Sequence, residues 1–305
     1  MLTRLQLGFG YWRLSGRLER ILEMPPARLV PGGVTVLSQV RDRDMLMYLL
    51  AAKSFARQVD VDRFTVLDDG TLSREDRDAI TEHVPGVTIT PIADIDCPGT
   101  PRGNCWERLH RVVELAESAY VIQLDADTVT LGGLPEVAEH IRRGTAFTLC
   151  SESDAGIVPL AQAADYAARR QSDHIQILAE RALGGLDPAI GTRYARACAA
   201  FTGFPPGTWR RETMQRFSRY MTERLGARWA SAWGTDQVTS NFLTANSPQA
   251  GLLPSPRYCD YVGRPISRDS GFLHFIGTYR FKNGAYRDTA RRVIDAMAAA
   301  PPPPG

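Results

Sequence analysis

Two aspartates follow an apolar segment near the middle of the chain. Asp125 and Asp127 come directly after residues 120–124, whose only amide side chain is Gln123. Alternate residues of an extended segment face the same side, so both carboxylates can reach one centre. Carboxylate oxygens suit hard cations such as Mg²⁺ or Mn²⁺, and such a cation neutralises a diphosphate. The pattern predicts a metal site at the end of a buried strand, although two aspartates that only start a turn would look the same.

A histidine late in the chain is predicted to complete this metal site. His274 lies in the apolar run 272–276 and is followed by Gly277, Arg280 and Lys282. An imidazole can join two carboxylates on one metal, although a histidine in such a run is also typical of a hydrogen-bonded core. Glycine lets the backbone approach a ligand closely, and two cations suit phosphate. We therefore expect these three residues to bind the phosphates of a ligand.

Two further groups of polar residues admit both a structural and a functional interpretation. Asp236 and Gln237 follow Gly234, so Asp236 either caps the next helix or faces, with Gln237, a bound sugar. Arg108 lies on the helix that precedes the aspartate strand. It is either a solvated surface charge or a group that reaches a diphosphate-linked ligand.

The first half of the chain alternates strands and helices. We predict strands over residues 34–40, 63–67, 87–92 and 120–124, and helices over 45–59, 74–83 and 105–118. Ser73 should cap the second helix, with Asp76 completing a capping box. This alternation predicts an α/β fold with a doubly wound, mostly parallel sheet, in which ligands lie outside the carboxyl ends of the strands. Ser38, Val40 and Asp68 are accordingly predicted to line a nucleoside pocket, unless Asp68 is a simple turn residue.

The second half is less regular and shows no linker. We predict that residues 161–183 are mostly helical and that a second long helix covers 210–225. A loop running into a helix is predicted within 234–245, and strands over 199–204 and 272–276. One domain over residues 31–297 follows, with a nucleotide-binding half (31–130) and an acceptor half (131–297). An N-terminal segment (1–30) precedes it, and a proline-rich tail (298–305) ends the chain.

Composition narrows the classes of partner. The 305 residues carry 36 basic and 34 acidic side chains, net +2, which argues against a nucleic-acid partner. The five cysteines form no C-x-x-C pair, so neither a structural zinc site nor a disulfide framework is expected, in keeping with a cytoplasmic protein. The basic and aromatic N-terminus either packs on the domain as a helix or contacts the inner face of a membrane peripherally.

In their order along the chain these motifs resemble the GT-A-fold glycosyltransferases. The nearest pattern is that of the retaining family that includes glycogenin and the bacterial lipopolysaccharide galactosyl- and glucosyltransferases. The resemblance covers roughly residues 34–282. It rests on Arg108, the D-x-D of Asp125 and Asp127, the strand AAFTGF, the D-Q-x-x-x-N that ends at Asn241, and the H-x-x-G…K that begins at His274.

The resemblance implies a nucleotide-sugar donor, a UDP-sugar by preference, and a saccharide, lipid-linked or protein acceptor. It implies Mn²⁺ or Mg²⁺ held by the D-x-D and the late histidine, with Ala126 at the donor. It also implies acceptor contacts from the later motifs, which we place at Thr202, Gly203 and Asn241. The sequence departs from the family pattern in two motifs. Val238 replaces the last aspartate of D-Q-D. The family's H-x-G-x-x-K-P-W is replaced by residues 274–282, so both Arg280 and Lys282 are candidates for the cation on the diphosphate.

The chemistry assigned to Asp236 and Gln237 depends on the stereochemical outcome. In an inverting enzyme Asp236 would be the general base that deprotonates the acceptor hydroxyl. In a retaining enzyme Asp236 or Gln237 would stabilise an oxocarbenium-like state on the donor.

Three other classes of protein fit these residues less well. A haloacid-dehalogenase-type phosphatase would use Asp125 as a nucleophile, but three strands precede it here and no G-D-x-x-x-D follows. A nucleotidyltransferase would need a G-x-G-T-R loop after the first strand, which is absent. A non-catalytic sugar-nucleotide-binding relative would be expected to lack a metal ligand, and all three are present.

Overall fold

The computed structural model describes residues 18–150 and 156–299. The predicted membrane-contact residues near the N-terminus and most of the proline-rich tail lie outside these ranges. None of the described helices combines the length and the hydropathy that crossing a bilayer requires.

Strands and helices alternate from Val34 to Leu124, and the described residues after Leu124 include runs of two or three strands or helices. The strands are β1 (Val34–Val40), β2 (Val61–Asp68), β3 (Thr88–Pro91), β4 (Val121–Leu124), β5 (Thr128–Thr130), β6 (Phe147–Cys150), β7 (Ile157–Pro159), β8 (Arg193–Ala195), β9 (Ala197–Phe204), β10 (Gly251–Leu253), β11 (Tyr258–Asp260) and β12 (Phe272–His274). The helices are α1 (Met45–Ala56), α2 (Arg74–His83), α3 (Trp106–Leu115), α4 (Pro135–Arg143), α5 (Leu160–Ala168), α6 (Ile175–Ala182), α7 (Arg211–Leu225), α8 (Ala227–Ser231), α9 (Thr235–Ala245) and α10 (Ala285–Ala299).

Seven of the described strands form the central sheet, in the order β10-β6-β9-β4-β1-β2-β3. Strand β2 pairs in parallel with both β1 and β3, and β10 pairs in parallel with β6. Strands β6 and β9 are antiparallel. The predicted α/β fold with a mostly parallel, doubly wound sheet is confirmed. Two smaller sheets have the orders β11-β12-β5 and β7-β8.

Tertiary contacts group the chain into two compact units. The first contains the described residues up to Pro91, Leu124–Pro135, and the described residues from Pro256 onward. The second contains Ile92–Gln123 and Glu136–Ser255. The first unit thus draws on both predicted halves of the chain, while the single domain over residues 31–297 stays a prediction.

In the first unit, α1 is buried along most of its length, and this includes a lysine. The Nζ of Lys53 donates hydrogen bonds to the carbonyls of Ile21 (2.9 Å) and Met24 (2.8 Å), which ties the 3-10 turn Glu19–Glu23 to α1. Helix α2 begins with the predicted capping box: Ser73 Oγ accepts from Asp76 N and Asp76 Oδ2 accepts from Ser73 N. These two hydrogen bonds define the start of α2 at Arg74, the residue predicted from the sequence.

In the second unit, residues 161–183 are mostly helical, as predicted, but they do not form one continuous helix. The structure has two helices, α5 and α6, because the polar run between them cannot continue an apolar helical face. The side chain of His174 caps α6 by accepting a hydrogen bond from Gln176 N at 3.3 Å. Helix α9 begins at Thr235, after Gly234 with φ of 98°. Asp236 therefore lies inside the first turn of α9 and is not its cap.

Strand β9 is buried throughout and requires a glycine near its end. A Cβ on Gly203 would lie 2.3 Å from Phe147 Cε1 and 2.7 Å from the Tyr120 hydroxyl. We expect Gly203→Ala to lower the free energy of unfolding by about 1–3 kcal/mol through overpacking, measured by chemical denaturation. Gly132→Ala is the control, because a Cβ there meets no atom within 4 Å. Equal stability of the two variants would contradict this packing role.

Candidate metal and donor site

The three-stranded sheet β11-β12-β5 places the late histidine beside the aspartate strand. His274 stands opposite Thr128 in the antiparallel β12–β5 pair and opposite Asp260 in the parallel β11–β12 pair. The carbonyl of Asp127 accepts a hydrogen bond from Phe275 N at 3.0 Å. Backbone pairing thus brings together residues that are far apart in the sequence.

His274 lies between two carboxylates. Its Nδ1 is 2.6 Å from Asp260 Oδ1, and its Nε2 is 3.4 Å from Asp127 Oδ1. All three side chains are about nine-tenths buried, with exposed fractions of 7%, 11% and 9% for His274, Asp260 and Asp127. The ring is therefore fixed at both nitrogens in a region with little access to water.

Arg280 joins the same cluster. Its Nη2 lies 2.6 Å from Asp127 Oδ2, its Nη1 lies 3.6 Å from Asp44 Oδ1, and its Nε donates to the carbonyl of Gly277 at 2.8 Å. Gly277 has φ of 55°, the left-handed conformation that glycine adopts readily, and it starts the 3-10 turn that carries Arg280. The guanidinium thereby balances part of the negative charge of the aspartates.

Burial and neighbouring charge set the ionisation of the carboxylates. Burial raises the pKa of Asp127, but the charges of His274 and Arg280 outweigh it and lower the pKa to about 2. At Asp44 burial is the largest influence, and it raises the pKa although Arg41 and Arg280 act in the opposite direction. Asp127 is therefore a carboxylate at neutral pH, the form that binds a cation.

The donor set fits a hard or borderline divalent cation. One ligand atom from each of Asp125, Asp127 and His274 lies within 4.8 Å of the others, and Asp127 and His274 are buried while Asp125 is half-buried. Two carboxylates and one imidazole suit Mn²⁺ and also accommodate Mg²⁺. The structure thus brings together the three predicted metal ligands.

The two candidate diphosphate cations have different surroundings. Arg280 is only 12% exposed and contacts Asp127. Lys282 is exposed, and its Nζ lies 4.5 Å from the centroid of the Tyr279 ring. Of the two, Arg280 is the residue that the fold places at the metal ligands.

The predicted nucleoside residues have structural contacts of their own. Ser38 Oγ donates to the Leu124 carbonyl at 2.6 Å, and Val40 is buried in β1. Asp68 is fully buried and accepts hydrogen bonds from the backbone of Gly70 and Leu72 in the turn after β2, and from Arg77. These contacts match the turn interpretation of Asp68. A nucleoside pocket at these residues stays a prediction.

In the second unit, the two predicted sugar-site residues of opposite charge form an ion pair. Arg108 Nη2 lies 3.2 Å from Asp236 Oδ2, and the side chains are 10% and 8% exposed. Burial raises the pKa of Asp236, and the charge of Arg108 opposes that shift. Arg108 is therefore not a solvated surface charge.

The remaining residues predicted for catalysis or acceptor binding make interior contacts. Gln237 Oε1 accepts from Ala199 N at 3.3 Å, and Asn241 Nδ2 donates to the Ala197 carbonyl at 2.9 Å. Thr202 is fully buried, with its hydroxyl 3.0 Å from that of Thr148. Thr202, like Gly203, packs inside β9. Acceptor binding at Thr202, Gly203 and Asn241 stays a prediction.

Two members of the cluster were not predicted from the sequence. Asp44 follows β1 at the carboxyl end of a parallel strand, so the rule that pointed to Ser38 and Asp68 applied to it equally. Asp260 ends the three-residue strand β11, which has no strong periodic pattern. Only the pairing of β11 with β12 reveals its position beside His274.

Comparison with protein-family models gives no match for this sequence, and comparison with curated proteins gives none. Solved structures do match. An active-site mutant of the galactosyltransferase LgtC superposes with a TM-score of 0.52 at 12% identity, over 88% of this chain and 98% of that one. The bifunctional glycosyltransferase WbbM has a TM-score of 0.52 at 14% identity, over 88% of this chain and 51% of WbbM. The chain has the GT-A glycosyltransferase fold. This was the fold that the order of the sequence motifs predicted.

With the GT-A fold established, the D-x-D segment can be located within it. Asp125 and Asp127 follow β4, an interior strand of the central sheet, in the short turn that leads to β5. That turn is closed by Thr128, whose amide and hydroxyl both donate to the Asp125 carbonyl. The predicted position of the two aspartates at the carboxyl end of a buried strand is confirmed.

Proposed function

We propose that this protein is a metal-dependent glycosyltransferase that moves a hexosyl group from a nucleotide-diphosphate sugar, by preference a UDP-sugar, to a saccharide, lipid-linked or protein acceptor. The observation that carries this proposal is the convergence of Asp125, Asp127 and His274 at the end of β4 in a GT-A fold. Fold alone does not determine function, so the proposal depends on this group of residues.

The site residues have complementary roles in the proposed reaction. The metal, when bound by the two aspartates and His274, supplies positive charge to the leaving diphosphate. Arg280 adds a second positive charge from the same side, with guanidinium geometry suited to phosphate oxygens. In the second unit, Asp236 is buried beside Arg108, and we propose that it either stabilises the positive charge that develops on the donor sugar or accepts the proton of the acceptor hydroxyl.

The test is a thermal-shift panel of UDP-, GDP- and CDP-sugars with and without Mn²⁺, followed by an assay for hydrolysis or transfer of the sugar. A glycosyltransferase is stabilised by one nucleotide sugar in a Mn²⁺-dependent manner and releases the nucleoside diphosphate. Stabilisation without release of the diphosphate favours the non-catalytic sugar-nucleotide-binding alternative. Hydrolysis of phosphate monoesters without any response to nucleotide sugars would replace the proposal with the phosphatase alternative.

Arg280→Gln is expected to act in opposite directions on the metal alone and on the donor. Removing the guanidinium from Asp127 should strengthen binding of Mn²⁺ alone, because the two cations compete for one carboxylate. The same change should weaken binding of a Mn²⁺–UDP complex about 10- to 100-fold, since a charge-assisted hydrogen bond contributes about 1.5–3 kcal/mol. Calorimetry of both titrations measures the two effects.

Lys282→Gln is the matched control for this prediction. Lys282 is exposed and close to Arg280 in sequence, so both affinities should stay near those of the wild-type protein. If Lys282→Gln weakens the Mn²⁺–UDP complex and Arg280→Gln does not, the diphosphate cation is Lys282.

A further inference from the structure

The ring of His274 presents a different partner at each nitrogen. Nδ1 lies 2.6 Å from Asp260 Oδ1, a strong hydrogen bond in which the ring nitrogen donates to the carboxylate. Nε2 points to the other side, where Asp127 Oδ1 is 3.4 Å away and Asp125 also offers a ligand atom. When a cation takes the place of a proton at Nε2, the proton on Nδ1 leaves the lone pair of the now neutral ring on Nε2, the nitrogen that faces the proposed metal ligands.

Asp260 owes its place to backbone pairing. It stands opposite His274 in the parallel β11–β12 ladder, and the adjacent Tyr261 N donates to the His274 carbonyl at 2.7 Å. These backbone contacts do not involve the Asp260 side chain. A substitution that removes the carboxylate therefore leaves the strand pairing in place.

We infer that Asp260 is a positioning residue for the metal site. Its carboxylate accepts the Nδ1 proton of His274, fixes the ring orientation and tautomer, and increases the basicity of Nε2 toward a divalent cation. A hydrogen bond from the remote nitrogen of a ligating histidine to a carboxylate is a recurrent feature of metal sites, and its loss weakens metal binding about 10- to 100-fold. The inference rests on the proposed metal site and adds a fourth residue that acts through one of its three ligands.

The experiment measures binding of Mn²⁺ alone, without nucleotide or turnover. Electron paramagnetic resonance of free Mn²⁺ gives the dissociation constant for the wild-type protein, Asp260→Ala and Asp260→Asn. We expect about 10- to 100-fold weaker binding in Asp260→Ala. The loss should be smaller in Asp260→Asn, whose amide oxygen still accepts the Nδ1 proton. Asp269→Ala, at an exposed position after β11, is the control and should bind Mn²⁺ like the wild-type protein.

A double-mutant cycle with His274 separates positioning from a direct or general electrostatic effect. If Asp260 acts through the ring, Asp260→Ala weakens Mn²⁺ binding in the wild-type background and has no further effect in His274→Ala. Equal losses in both backgrounds would overturn the inference, because Asp260 would then act without His274. A wild-type affinity for Asp260→Ala would overturn it as well.

A spectroscopic measurement reads the tautomer directly and guards against a folding defect in Asp260→Ala. Nitrogen-15 NMR of the metal-free protein, at a pH at which the ring is neutral, should show the Nδ1–H tautomer of His274 in the wild-type protein and in Asp260→Asn, and loss of that preference in Asp260→Ala. The Nε2–H tautomer in the wild-type protein would refute the positioning role. If the wild-type protein binds neither Mn²⁺ nor Mg²⁺, the proposed metal-dependent function fails. If the wild-type protein binds Mn²⁺ and the Asp260 variants bind it equally well, only this inference is refuted.

Discussion

Asp127→Ala is expected to abolish Mn²⁺-dependent binding of the donor, with at least a ~100-fold loss of affinity for a nucleoside diphosphate in the presence of Mn²⁺, the scale of removing one strong electrostatic contact in a site. Asp127 contacts His274 and Arg280, and its pKa of about 2 keeps it ionised at neutral pH. Its loss removes one of the three proposed metal ligands and leaves His274 and Arg280 without their shared carboxylate. Calorimetry with and without Mn²⁺ measures the effect.

Two variants make this result interpretable. Asp127→Asn preserves the shape of the side chain and removes its charge, so it should show the same loss if Asp127→Ala proves unstable. Asp269→Ala removes an exposed carboxylate that lies outside the cluster and should bind like the wild-type protein. Unchanged nucleotide affinity of both Asp127 variants with Mn²⁺ present would remove Asp127 from the metal site.

The sequence was most informative where a local pattern and its position in the fold agree. The strand that precedes Asp125 and Asp127 is identifiable from the sequence because a buried strand requires apolar residues. The residues directly after its carboxyl end face the ligand crevice and can be polar. The capping box of Ser73 is equally local, since its two hydrogen bonds join residues three positions apart. Both features were predicted from the sequence and occur in the structure.

Long-range pairing explains what the sequence did not reveal. The contact between Asp260 and His274 depends on the register of two three-residue strands, and strands this short carry little periodic signal. Long-range packing also surrounds Thr202 and Gly203, which lie against Phe147, Tyr120 and Thr148, a set of contacts that the motif alone did not predict. A resemblance to a family locates a motif in the sequence. It does not show which residues of the motif bind a ligand and which pack in the protein interior.

The position of the break within residues 161–183 depends on tertiary contacts in a similar way. These residues were predicted to be mostly helical, and their alanine and leucine content favours one long helix. The first helix ends at Ala168 because residues 169–174 are polar. The side chain of His174 then caps the N-terminus of α6. Helix propensity summed over many residues does not locate the end of a helix. That end depends on which neighbouring elements pack against each helical turn.

Asp236→Asn tests the assignment of chemistry to the second unit. The carboxylate is nearly buried and paired with Arg108, so the side chain carries a charge in a region of low dielectric constant, where charge acts strongly. Asparagine keeps the shape and removes the charge. If Asp236 stabilises the transition state or accepts a proton, kcat falls at least ~100-fold while the donor Kd stays near the wild-type value.

The effect of Asp236→Asn on kcat must be separated from its effect on folding. Removing one partner of a buried ion pair lowers the free energy of unfolding by about 3–5 kcal/mol. The double variant Arg108→Gln with Asp236→Asn removes both charges and should recover most of that stability. Its kcat is expected to remain low, since stability returns without the carboxylate. Steady-state kinetics together with denaturant unfolding of the single and double variants measure the two effects side by side. Recovery of kcat with stability in the double variant would mean that the Arg108–Asp236 pair serves only the fold, and the catalytic role would then pass to Gln237 on the same turn of α9.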